Sequence, residues 1–138
     1  PVRPERFVTR KSIAAAARIA SGSRERLRLG NVAIQRDWGW APEYADAMWR
    51  MLQQETPDDY VIGTGETNSL EELVHRAFRA VGLDWKDHID IDPGLFRPPD
   101  LAISRSNPAK AFEKLNWQAR YKMGDVVRFM LESTRNPL

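Results

Sequence analysis

Sixteen of the 21 basic residues are arginine, and residues 1 to 36 hold nine Lys/Arg against two Asp/Glu, a local charge of +7. A guanidinium presents a planar fork of donors that matches phosphate or carboxylate oxygens two at a time, so this segment suits an anionic ligand. A solvated, arginine-rich helix face explains the same composition. Residues 37 to 138 hold twelve basic against seventeen acidic side chains, a charge of −5. A small nucleic-acid-binding module would also use the basic quarter with its interleaved aromatics, but no nucleic-acid motif accompanies it and the acidic remainder opposes it.

Most familiar catalytic arrangements are missing. A tyrosine base working near neutral pH needs a lysine four residues later to depress its pKa; Tyr44, Tyr60 and Tyr121 are followed at that distance by Met48, Thr64 and Asp125. No glycine-rich turn of the kind that lets backbone approach a pyrophosphate occurs. His75 and His88 are too few and too far apart for a metal triad. No cysteine is present, which excludes disulfides and thiolate metal sites and suggests a reducing, cytoplasmic setting. No apolar run approaches the roughly 18 residues that span a bilayer, and Pro1 to Lys11 is too charged for a signal peptide, so a soluble protein is expected. The residues alone describe a binding lobe without a catalytic group.

The expected fold class is α/β, mixed helices and short strands in a single domain, 1–138. Thr9 is placed to cap a helix through Ile13, Ala14 to Ala17 and Ile19, stopped at Ser21-Gly22-Ser23. Leu27 and Leu29 alternate with arginines as a strand ending at Gly30-Asn31, and a second strand is expected within Val32 to Trp38. Pro42 opens a helix whose Tyr44, Ala45, Met48, Trp49 and Leu52 form an apolar face, read as a core face. Tyr60-Val61-Ile62 reads as a buried strand closed by Gly63-Thr64-Gly65. Ser69 and Glu72 form a capping box before Leu70, Leu73, Val74, Ala77, Phe78 and Val81, with Gly82 as the stop. Ile89 and Ile91 suggest a strand. The stretch from Pro93-Gly94 to Pro98-Pro99 reads as a non-helical loop carrying Arg97. Asn107-Pro108 starts a short helix through Ala109, Ala111, Phe112 and Leu115, with Trp117 packed beneath it. Met123 to Thr134 closes the chain with Val126, Val127, Met130 and Leu131 on one face. The five tryptophans suit core packing better than base or sugar stacking.

Four stretches carry a resemblance: Phe7-Val8-Thr9-Arg10-Lys11; Leu29-Gly30-Asn31 with Arg36-Asp37-Trp38-Gly39; Asp58-Asp59-Tyr60-Val61-Ile62 with Thr64-Gly65-Glu66; and Phe96-Arg97-Pro98. In this order, up to about Trp117, the sequence resembles the GDP-mannose 4,6-dehydratase family. The resemblance implies the C-terminal substrate-binding lobe of an extended short-chain dehydrogenase/reductase, with the NADP-binding Rossmann part and its catalytic threonine or serine, glutamate, tyrosine and lysine preceding Pro1. It implies GDP-mannose as ligand, oxidised at C4 by NADP, dehydrated across C5 and C6, then reduced at C6 by the stored hydride. Arg36 and Arg97 are implied to hold the diphosphate, with a salt bridge to Asp37 or a helix end as the alternative for Arg36. Val8, Lys11, Gly30 and Asn31 are implied to form the guanine pocket, where a lysine donor can read the purine O6. Asp100 stands where the family carries a ribose-binding glutamate, and Arg3 where it carries an arginine on NADP, although Pro4 replaces the neighbouring glycine. The whole enzyme is expected to form dimers or tetramers, without nucleic-acid or membrane partners. A related nucleotide-sugar epimerase or 4-keto-reductase lobe would share the diphosphate arginines but not the full motif set.

Overall fold

The computed structural model describes residues 4–96 and 101–135. Its main core is three helices on a small parallel sheet. Helix α1 (Val8–Ala20) runs through Ala14, Ala15 and Ala16, whose small side chains let it pack closely on α3 (Leu70–Arg79) and α5 (Met123–Arg135). In the same core lie β1 (Leu27–Leu29), which follows α1, and β4 (Ile89–Ile91), which follows α3; they pair in parallel with Leu27 opposite Ile89 and Leu29 opposite Ile91. Leu27, Leu29 and Ile89 are buried with Ile13 and Ile19 of α1, Leu73, Val74 and Phe78 of α3, and Val127, Met130 and Leu131 of α5. Burial of a side chain such as Phe78 contributes about 1.5–3 kcal/mol. The outer face of the sheet is held by ion pairs from Arg26 to Asp90 (2.8 Å) and Arg28 to Asp92 (2.5 Å).

Local signals set most element ends. Ser69 Oγ accepts the Glu72 amide (3.1 Å), one half of the expected capping box, while the Glu72 carboxylate instead takes the Arg76 guanidinium (2.7 Å). Gly82 adopts φ +79° just past the end of α3, where an L side chain would be strained. Asn107 accepts from the Ala109 amide (3.1 Å) before α4 (Ala109–Leu115), and Trp117 is buried beneath that helix as expected.

Several expectations are corrected. Thr9 is not a cap: α1 starts at Val8 and Thr9 is buried within it. The second strand is only β2 (Gln35–Arg36), paired antiparallel with β3 (Asn68–Ser69), because the Val32 and Ile34 carbonyls accept from Glu71 and Leu70 at the start of α3. Pro93–Leu95 forms a single 3-10 turn, opened by the Asp92 side chain accepting from Gly94 (2.9 Å). Helix α2 (Ala41–Leu52) is present, but it turns Tyr44, Ala47 and Met51 towards α4 and Trp117, leaving Met48 and Trp49 each 61 % and Leu52 82 % exposed. The apolar stripe is real, but among the described residues nothing covers its Met48, Trp49 and Leu52. Tyr60-Val61-Ile62 pairs with no strand among the described residues: Tyr60 and Ile62 pack partly buried on the α2–α4 cluster, while Val61 is 53 % exposed. A β-branched run becomes a strand only when a neighbour takes its backbone groups. Phe112 faces outward on α4, and Trp49 is exposed, whereas Trp38, Trp40 and Trp85 pack partly buried on the main core. His88 stacks on Phe78 with 5.9 Å between ring centroids, a structural role.

Candidate functional site

The sequence-derived ligand residues fall on two neighbouring supports. On the first, α1 presents Val8 and Lys11 beside the end of β1. Lys11 is half-buried and its Nζ donates to the Arg28 carbonyl (2.6 Å), which ties the helix to the strand. Gly30 follows directly. A Cβ added there would stand 2.7 Å from the Leu95 carbonyl oxygen, so the missing side chain is what lets the 3-10 turn lie against the strand end. Asn31 is exposed and its side-chain oxygen accepts from the Ala33 amide (2.9 Å), shaping the turn rather than reaching outward with that atom.

On the second support, β2 carries Arg36. Its guanidinium is half-buried and donates to the Gln35 carbonyl (2.7 Å); among the described residues it makes no ion pair. The alternative of a salt bridge to Asp37 is overturned, because Asp37 turns away: its Oδ2 accepts from the Thr64 and Gly65 amides (2.8 and 3.0 Å) and from the Ser106 hydroxyl. Beside β2, the Gln35 amide donates to Ala102 O (2.8 Å) and Ser104 N donates to Gln35 O (3.0 Å). The description of the chain stops at Phe96, after the turn beside Gly30, and resumes at Leu101, next to the residues that bond Gln35. Arg97 and Asp100, and separately Arg3 near the N-terminus, lie outside the described residues.

Tyr44 is not poised for proton transfer. Burial raises the Tyr44 pKa, and the Asp37 and Glu43 carboxylates push it further in the same direction, the opposite of what a tyrosine base requires. No group of three or more His, Cys, Asp or Glu among the described residues can hold a metal ion. The described residues do not fit a dinucleotide: no glycine-rich turn joins a strand to a helix N-terminus, and α3 opens instead on the Ser69 cap. No helix among them is long and apolar enough to cross a membrane.

Residues 1–130 match the family model of GDP-mannose 4,6 dehydratase. The chain belongs to this family. It is 44 % identical over 132 residues to GDP-mannose 4,6 dehydratase 1 of Arabidopsis thaliana and 36 % identical over 150 residues to GDP-mannose 4,6 dehydratase of Homo sapiens, covering 96 % of this chain in each case. It spans 37 % and 40 % of the length of those two relatives. The fold, mixed helices and short strands, is shared with part of each of two solved structures. It superposes with TM-score 0.87 on RMD from Pseudomonas aeruginosa complexed with NADPH, at 18 % identity, over 100 % of this chain and 46 % of that one. With dTDP-glucose 4,6-dehydratase from Bacillus anthracis in complex with NAD the TM-score is 0.83, at 16 % identity, over 99 % and 42 % of the two chains. Membership of the GDP-mannose 4,6-dehydratase family thus confirms the resemblance. What sequence reasoning missed is the cluster of Asp37, Thr64, Gly65 and Ser106; the first three stood inside the quoted motifs, with no role attached.

Proposed function

We propose that this chain is the nucleotide-sugar-binding lobe of an NADP-dependent dehydratase that converts GDP-mannose to GDP-4-keto-6-deoxymannose. The observation that carries the reading is Arg36: a half-buried guanidinium without an ion pair among the described residues, on a strand fixed from both sides, in a chain of this family. A charged group held in that state suits a phosphate partner. Arg36 and Arg97 grip the diphosphate, Val8, Lys11, Gly30 and Asn31 form the guanine side, and Asp100 takes the ribose. NADP and the groups that oxidise C4, eliminate water and return the hydride are supplied by residues outside this lobe, with Arg3 as its one contact to the cofactor. By clamping the GDP handle the lobe orients the hexose, spending binding energy remote from the reacting carbons on positioning them. The enzyme works in the cytoplasm as a dimer or tetramer.

The polyanion-binding alternative is weakened by where the basic quarter spends its charge. Arg18 pairs with Glu5 (2.8 Å) and Glu25 (2.7 Å), Arg26 with Asp90 and Arg28 with Asp92. The test is calorimetry of the chain with GDP, UDP and ADP at fixed ionic strength, repeated with Arg36→Ala. GDP should bind tightest, and the substitution should weaken it about 10- to 100-fold, the value of one hydrogen bond to a charged group. Equal affinity for the three nucleotides, or a GDP affinity indifferent to Arg36, would sink the reading.

A further inference from the structure

We infer that Asp37 is a positioning residue that sets the direction of Arg36, and that the selectivity of this site for a diphosphate over an uncharged nucleoside depends on it. The inference rests on the proposed role of Arg36 and extends it to a residue that touches no ligand. Three segments distant in sequence meet at one carboxylate oxygen. Asp37 Oδ2 accepts from the Thr64 amide at 2.8 Å, the Gly65 amide at 3.0 Å and the Ser106 hydroxyl. The same loop is held from the other side by Lys122, whose Nζ donates to Thr64 O (2.5 Å) and lies 3.7 Å from Glu66.

The packing leaves no slack around this junction. Gly63 is buried, and a Cβ built on it would collide with Ser106 and stand 2.9 Å from Asp37 Oδ2. A Cβ on Gly39, two residues past Asp37, would collide with the Tyr44 ring. Asp37 Oδ1 is itself buried without a partner among the described residues. A half-buried carboxylate whose Oδ2 takes three donors and whose buried Oδ1 has none among the described residues is a poor choice for stability alone, since polar groups left unpaired away from water are costly. It is a sound choice for fixing geometry. With Asp37 held by the Thr64-Gly65 turn and Gln35 held by Ala102 and Ser104, both flanks of Arg36 are fixed, and its guanidinium has a single launching point.

The charge on Asp37 also matters. A carboxylate adjacent to a diphosphate site would repel the ligand if it faced it. Three donors gathered on Oδ2 offset that charge, and among the described residues Asp37 makes no ion pair with Arg36.

The experiment compares the chain with its Arg36→Ala, Asp37→Asn, Ser106→Ala and Arg36→Ala/Asp37→Asn variants, titrated with GDP and with guanosine. NMR titration reads both strong and weak binding, and circular dichroism confirms that each variant is folded. Asp37→Asn should weaken GDP binding about tenfold and Ser106→Ala a few-fold, with guanosine binding unchanged. In the Arg36→Ala background Asp37→Asn should add less than about twofold, because the two residues act as one unit. A purely structural role would weaken GDP and guanosine alike and add fully in the double variant, which overturns the inference. So would tighter GDP binding by Asp37→Asn, or GDP binding that responds to Arg36→Ala but to neither Asp37→Asn nor Ser106→Ala. If Arg36→Ala itself changes nothing, the diphosphate reading falls and this inference falls with it.

Discussion

Replacing Gly30 by alanine is the sharpest probe of how the two supports of the site are joined. The new Cβ would lie 2.7 Å from the Leu95 carbonyl oxygen, 3.0 Å from its carbonyl carbon and 3.3 Å from its Cβ. The first of these is closer than real Cβ atoms come, and the obstacle is backbone, so the 3-10 turn at Pro93–Leu95 must retreat by roughly half an ångström or more. Overpacking of this kind costs about 1–3 kcal/mol. At about 3–4 °C per kcal/mol for a chain of this size, the melting temperature should fall by about 3–12 °C. Gly94→Ala is the matched control. Its Cβ would meet only Asp92 Oδ1, at 3.1 Å, a side-chain atom that can give way. The assay is thermal denaturation followed by circular dichroism, with GDP titration of the folded proteins. Gly30→Ala should also weaken GDP several-fold, because the displaced turn leads into the connection carrying Arg97, while Gly94→Ala should change affinity little. A Gly30→Ala protein melting within 1 °C of the parent with unchanged GDP affinity would refute the argument that this contact sets the entry to that connection.

Trp117→Ala should cost about 3–5 kcal/mol, since Trp117 is buried under α4 and donates from its indole to Glu43 O (3.1 Å), whereas Trp49→Ala on α2 should stay within about 0.5 kcal/mol; urea denaturation of the pair checks both. Ser12 Oγ is buried without a hydrogen-bond partner among the described residues, so Ser12→Ala should leave the melting temperature unchanged or raise it, and a loss above about 1 kcal/mol would reveal a bond not seen in the structure. The Asp125 carboxyl lies below the usual carboxylate range because it accepts from the Lys122 amide at the start of α5, and Arg128 adds to the effect. A depressed carboxyl stabilises the fold at pH above its unfolded value and loses that contribution as pH falls through the lowered one. Asp125→Ala should therefore cost about 0.5–1 kcal/mol at pH 7, a gap that narrows in melts below about pH 4.

What the sequence made legible is what local chemistry decides. Helix α3 could be drawn almost residue by residue, because Ser69, the apolar stripe from Leu70 to Phe78 and Gly82 all act within a few positions of one another. The two errors of burial have a common cause. The stripe on α2 and the run Tyr60-Val61-Ile62 are correctly apolar, but a pattern records which face avoids water, and says nothing of whether its cover lies within these residues. Pairing was illegible for a different reason. Arg28 meets Asp92 64 residues away, and Asp37 draws its donors from 27, 28 and 69 residues away, distances at which no periodicity or capping signal operates. Arg36 shows both limits at once. Its proposed role as a phosphate ligand came from a motif, yet the motif places an aspartate beside it, and adjacent opposite charges invite the reading of a salt bridge. Only the fold shows that the aspartate is committed to Thr64, Gly65 and Ser106. That commitment gives the proposed pair a physical content: if Arg36 contacts the ligand and Asp37 holds it in place, substitution of either should impair the same measurement, diphosphate affinity, through different atoms.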